Sequence, residues 1–198
     1  MATPVYLEVG KQKVFACAVD HPGWERWGRT EEAALERLAD HAPRYAAVVG
    51  RKRLPTGFEV VERLPGSATT DFGAPDRVCE ADRGPLPAAW PKVLAAAWEA
   101  FDAGVARSSP TLVKGPRGGG RDRDAIVEHL VEAERSYARQ IGVRLPPRTP
   151  WAEQRQAILE GLPALDPAAA KWPPRYFVRR TTWHVLDHLW EIEDKQPG

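Results

Sequence analysis

Arg179-Arg180-Thr181-Thr182-Trp183-His184-Val185-Leu186-Asp187-His188-Leu189-Trp190-Glu191-Ile192 decides how the second half of this chain is read. Val178, Val185, Leu189 and Ile192 recur at helical spacing, so they form the core stripe of an amphipathic helix. Pro173-Pro174 precede it, and the pattern predicts a helix from about Arg175 to Asp194. His184 and His188 are four apart and project from one face, on the flank of that stripe. Two imidazoles so spaced can share one metal ion, at about 2.0–2.1 Å from each nitrogen. They can equally be half-buried side chains bonded to neighbours.

Working outward, the pattern predicts three more helices upstream. One opens at Pro91 and ends at Ser108-Ser109-Pro110. The second runs from about Asp122 to Ile141 and stops at Gly142, after a flexible Gly115–Gly120 connection. The third covers Trp151 to Leu162. Four helices with short loops suggest an antiparallel bundle over residues 90–198. His129 bears the same flank relation to Ile126, Leu130, Tyr137 and Ile141 on its helix as the His pair does on the last. His129, His184 and His188 are therefore candidate ligands of one divalent ion, with ordinary half-buried histidines as the alternative.

Other polar residues gather around that expectation. Asp187 and Glu191 flank the His pair, where a carboxylate can orient an imidazole or simply face solvent. Glu134 falls in the apolar face of its helix. A buried carboxylate needs a partner, so it is expected either to pair with Arg179 or Arg180 or to act as a base near the metal. Arg179 and Arg180, one turn before His184, are candidates to hold the carboxylate or sugar end of a substrate, or are surface charges. Trp183 and Trp190 lie off the stripe and are expected to pack on the first domain or on a second subunit of a homodimer.

The first half has the patterning of strand, strand, helix, strand. Val5–Val9 and Val14–Val19 are β-rich runs joined by Gly10-Lys11-Gln12-Lys13, and Phe58–Leu64 returns as a third strand. Thr30 begins a helix with acids in its first turn and Ala34, Leu35, Leu38, Ala42 and Tyr45 on one face. Residues 66–89, with Pro75, Pro85 and Pro87, are expected to be a linker. The domain expectation is thus 1–65, 66–89 and 90–198, in an α+β chain.

Two resemblances sharpen this. The quoted helix, together with Gly119-Gly120-Arg121-Asp122-Arg123-Asp124-Ala125-Ile126-Val127-Glu128-His129-Leu130 and Glu134, resembles the DinB-like metal-binding four-helix bundles. That resemblance implies His129, His184 and His188 as ligands of zinc or nickel. It also implies a transferase or isomerase acting with a low-molecular-weight thiol such as mycothiol. Arg121-Asp122-Arg123 departs from the aromatic and hydroxyl residues usual after those glycines. Val19-Asp20-His21-Pro22-Gly23-Trp24 and Trp27-Gly28-Arg29-Thr30-Glu31-Glu32-Ala33-Ala34-Leu35 resemble the HicB-like antitoxin fold, a β-β-α-β unit that implies a protein partner. The contrasting reading is a non-catalytic interaction module braced by a structural metal.

Composition bounds the rest. The 198 residues carry a net charge of +1 and are 43% hydrophobic, enough for a packed core. A nearly neutral chain argues against nucleic-acid binding. No apolar run is long enough for a membrane span, and no signal segment is visible at the N-terminus. Cys17 and Cys79 are too few for a disulfide framework. The expectation is a cytoplasmic bacterial protein.

Overall fold

The computed structural model describes residues 2–115, 119–165 and 170–197. Part of the expected 115–120 connection, residues 116–118, lies outside the described residues. The chain begins with strands β1 (Thr3–Val9), β2 (Val14–Ala18) and β3 (Glu25–Gly28), followed by helices α1 (Glu31–Asp40) and α2 (Ala42–Val48) and strand β4 (Phe58–Pro65). Helix α3 (Ala68–Phe72) and a 3₁₀ turn (Glu80–Arg83) lead to helices α4 (Trp90–Arg107), α5 (Arg123–Gln140), α6 (Trp151–Gly161) and α7 (Pro174–Asp194). The α+β expectation holds at that level.

The sheet order is β3-β2-β1-β4, antiparallel except for the parallel β1–β4 pair. Four strands are present where the patterning predicts three. Glu25-Arg26-Trp27-Gly28 carries charges that hide its alternation. Cys17 pairs with Glu25 across the ladder, and both are buried. The helix after Thr30 is capped as expected, with the Thr30 side chain accepting from Ala33 N. It breaks at His41, because Pro43 has no N–H with which to continue the ladder.

Side-chain alternation gives the sheet two faces. Val5, Leu7, Val14, Ala16 and Ala18 join the large core that runs on through Trp24, Leu38 and Tyr45 to Trp90, Leu94 and Val185. Tyr6, Phe15 and Cys17 form a second cluster with Cys79 and Trp183. Both faces are therefore covered, and β2 is buried along its whole length. The two halves share one core.

Helix α7 makes that possible. It packs on α4 and α5, yet its other side is also buried, from Tyr176 through Leu186. Trp183 meets Phe15 edge-on with ring centroids 6.0 Å apart, and the Arg26 guanidinium lies 4.1 Å over Trp190. Of the two partners expected for these tryptophans, the first half covers both. Gly23, at φ +89°, lies against Thr182, where a Cβ would fall 2.5 Å from a side-chain carbon.

The stretch read as a linker is built into this seam. Ser67 caps α3 and Thr70 is buried. Asp82, in the 3₁₀ turn, is buried against Arg179. Apolar spacing misses such a segment, because it is held by capping and ion pairs.

Candidate metal centre

His129 reaches the site from α5, and His184 and His188 reach it from adjacent turns of α7. Their ring centroids form a near-equilateral triangle with sides of 5.0, 5.2 and 4.9 Å. One nitrogen from each lies within 4.8 Å of the others, close enough to bind a metal ion. The Nε2 atoms of His129 and His184 are 3.1 Å apart, about the spacing that two ligands of one ion need at 2.1 Å bond lengths. The flank placement expected from the helical stripes is what brings these three together. His184 and His188 are each 8% exposed, and His129 is half-buried.

The electrostatics favour the neutral, ligating form of His129 and His184. Burial lowers the pKa of His184 well below the ordinary imidazole value, helped by His188, Arg180 and His129. Burial, then His188 and Arg121, lowers that of His129. His188 Nδ1 is bonded to Glu191 Oε2 at 2.8 Å, which leaves Nε2 as its free donor atom. The His188 and Lys195 hydrogen bonds hold the Glu191 carboxyl down at about 2. Glu191 is thus a fixed carboxylate that sets one ligand's tautomer, as its flanking position suggested. Three imidazoles, one oriented by a carboxylate, fit a borderline divalent ion such as zinc, nickel, copper or iron.

The other expected site residues divide. Asp187 lines the site, but its Oδ1 accepts from Arg26 Nη1 of β3 at 2.7 Å, and it bonds to none of the three imidazoles. Glu134 is buried, but its partners are neither Arg179 nor Arg180, and it is no base near the metal. It accepts from Trp98 Nε1 at 2.7 Å and Trp151 Nε1 at 2.6 Å, with Arg155 Nε at 3.5 Å. Desolvation raises its pKa against the opposing pull of Arg155 and the two indoles. Arg179 is neither a surface charge nor a substrate ligand. It donates to Asp82, Glu25, the Tyr6 hydroxyl and the Arg77 carbonyl, and joins the halves.

Arg180 does face the site. The three histidines line a cavity of about 260 Å³ together with Arg121, Arg180, Tyr137 and Trp183, and Thr69 and Phe72 of α3 line it from the first half. Reading the sequence missed Thr69, Phe72 and Tyr137 as site residues. Tyr137 lies eight residues after His129, on the same helical face, and was assigned to the core. Thr69 and Phe72 fall in the stretch read as a linker, and nothing in Ser67-Ala68-Thr69-Thr70 pointed at the histidines. Comparison with family models, with curated proteins and with solved structures found no match to this chain.

Proposed function

We propose that this chain is a metal-dependent enzyme of DinB-like design. Its α4–α7 helices form the bundle, its HicB-like half is fused to it, and it acts as a transferase or isomerase with a low-molecular-weight thiol. The observation that carries the reading is that His129, His184 and His188 line an open cavity instead of being sealed among packed side chains. A purely structural ion calls for a closed ligand shell, whereas a catalytic one keeps a position open to a ligand. Zinc or nickel at this site would supply Lewis acidity and lower the pKa of a coordinated thiol or water.

The chain's own residues supply the rest. Glu191 holds His188 in one tautomer, and Lys195, donating to Glu191 Oε1 at 2.6 Å, holds Glu191. Tyr137 and Trp183 give the cavity aromatic walls, and α3 limits water access from the side of the first half. The first half then serves as part of the site as well as a surface for a protein partner.

The test begins with elemental analysis of untagged protein, where about one ion per chain is expected. Cobalt-substituted protein is then titrated with low-molecular-weight thiols. Thiolate-to-cobalt charge-transfer absorption supports the reading. An unchanged spectrum with every thiol, on protein that holds cobalt stoichiometrically, refutes thiol activation.

A further inference from the structure

Among the described residues four arginines are nine-tenths or more buried: Arg26, Arg155, Arg179 and Arg180. Three of them have carboxylate partners. Arg26 pairs with Asp187, Arg155 with Asp102 and Glu134, and Arg179 with Glu25 and Asp82. Arg180 has none among the described residues. Its Nη1 donates to the Pro75 carbonyl at 2.8 Å, and no other hydrogen bond from it is formed to them. The nearby Glu25 accepts from Arg179 Nη1 at Oε1, and its Oε2 has no partner among the described residues.

Buried cations are normally paired, and the free nitrogens of Arg180 are not among the fully buried unpartnered atoms, so they open on the cavity instead of being sealed. Arg180 lies on the one cavity that also holds the three histidines. Its Cζ is 4.9 Å from the Trp183 ring centroid and 5.7 Å from that of Tyr137, so both rings steer it. With Nη1 committed to Pro75, Nε and Nη2 remain. That edge of the fork matches the two oxygens of a carboxylate. Exposed Arg121 adds positive charge to the lining, and Phe72, 87% exposed, adds apolar surface from α3.

We infer that the cavity selects a small organic molecule carrying a carboxylate, which seats on Arg180 while the opposite end of the molecule reaches the three histidines. The inference deepens the function proposed above and rests on that site being a ligand pocket. Arg180 is a specificity-determining residue in it, and the phenyl ring of Phe72 covers the apolar middle of the ligand. The first half thereby shares in substrate selection through α3.

The test compares 3-mercaptopropionate with its neutral counterpart 3-mercapto-1-propanol on the full-length, cobalt-loaded protein. The carboxylate thiol should bind about tenfold or more tightly, equivalent to about 1.4 kcal/mol. In Arg180→Met that ratio should fall towards one while cobalt stoichiometry and the thiol-free cobalt spectrum stay unchanged. Equal affinities in the unsubstituted protein overturn the inference and leave the metal reading standing. If Arg180→Met does not fold, Arg180→Lys decides: a point charge without the fork should lower the ratio several-fold, and an unchanged ratio overturns the inference. If the protein takes up no cobalt, the metal reading fails. Calorimetry of the same two thiols on the metal-free protein then carries the test, with a retained carboxylate preference supporting the inference and no preference refuting it.

Discussion

Replacing Arg179 with Met tests how the two halves are joined. Arg179 is 1% exposed, and Glu25 and Asp82, at 3.0 and 2.6 Å, are as deeply buried. The substitution keeps much of the side-chain volume but strands two carboxylates and removes the donor to the Tyr6 hydroxyl. Breaking a buried ion pair by removing one partner costs about 3–5 kcal/mol. In a chain of this size that corresponds to a fall of about 6–20 °C in Tm. The loss should depend on pH. Burial already raises the Glu25 pKa, and Arg179 is the chief influence opposing that rise. Without Arg179 the folded-state value rises further above the unfolded value of about 4.3. A group with a raised folded pKa gives stability that is full below the unfolded value and is lost as pH rises through the folded one. The deficit of Arg179→Met relative to the unsubstituted protein should therefore be largest at neutral pH and shrink towards pH 4–5. Thermal unfolding followed by circular dichroism across that range measures both quantities. A neutral-pH loss under about 1 kcal/mol, or a deficit that grows as pH falls, refutes this account of the seam.

Three further outcomes are expected. His188→Ala should lose stoichiometric metal by elemental analysis while its helical circular dichroism persists, because the ligand leaves and the apolar stripe stays; metal retained at one per chain shows the ligand set to be wrong. Glu191→Gln, which loosens His188, should weaken cobalt affinity by about 10–100-fold in a competition titration, and an unchanged affinity removes Glu191 from the site. Since the pKa values of His129 and His184 are held below the ordinary imidazole value, protons should displace cobalt only below about pH 6.5, and displacement that is already complete above it contradicts the burial seen here.

The domain expectation made residues 90–198 a bundle separate from the first half. In the structure, removing residues 1–89 bares Arg179, Trp183 and Trp190 on the covered side of α7. The separate fragment is therefore expected to aggregate, and a soluble, cooperatively unfolding fragment would show that this side of α7 needs no cover.

The sequence alone determined the helices of the second half, the runs that became β1, β2 and β4, and the flank positions of His129, His184 and His188 on their helices. Each follows from local periodicity: 3.6 residues per turn sets which side chains share a helix face, and a period of two sets which share a strand face. Glu191 was legible for the same reason, lying one turn from His188. Only the tertiary structure decided the fate of the charged residues. Arg179 and Arg180 are neighbours with similar sequence context, yet one bolts α7 to β1, β3 and the 3₁₀ turn while the other faces the cavity. Glu134 found indoles from α4 and α6, and Asp187 found Arg26 from β3. Burying a charge is tolerable only where a partner waits, and the partner comes from sequence positions 17–161 residues away. No period along one element encodes that meeting, so β3, α3 and the cavity wall that α3 helps build became visible only when the halves were packed together.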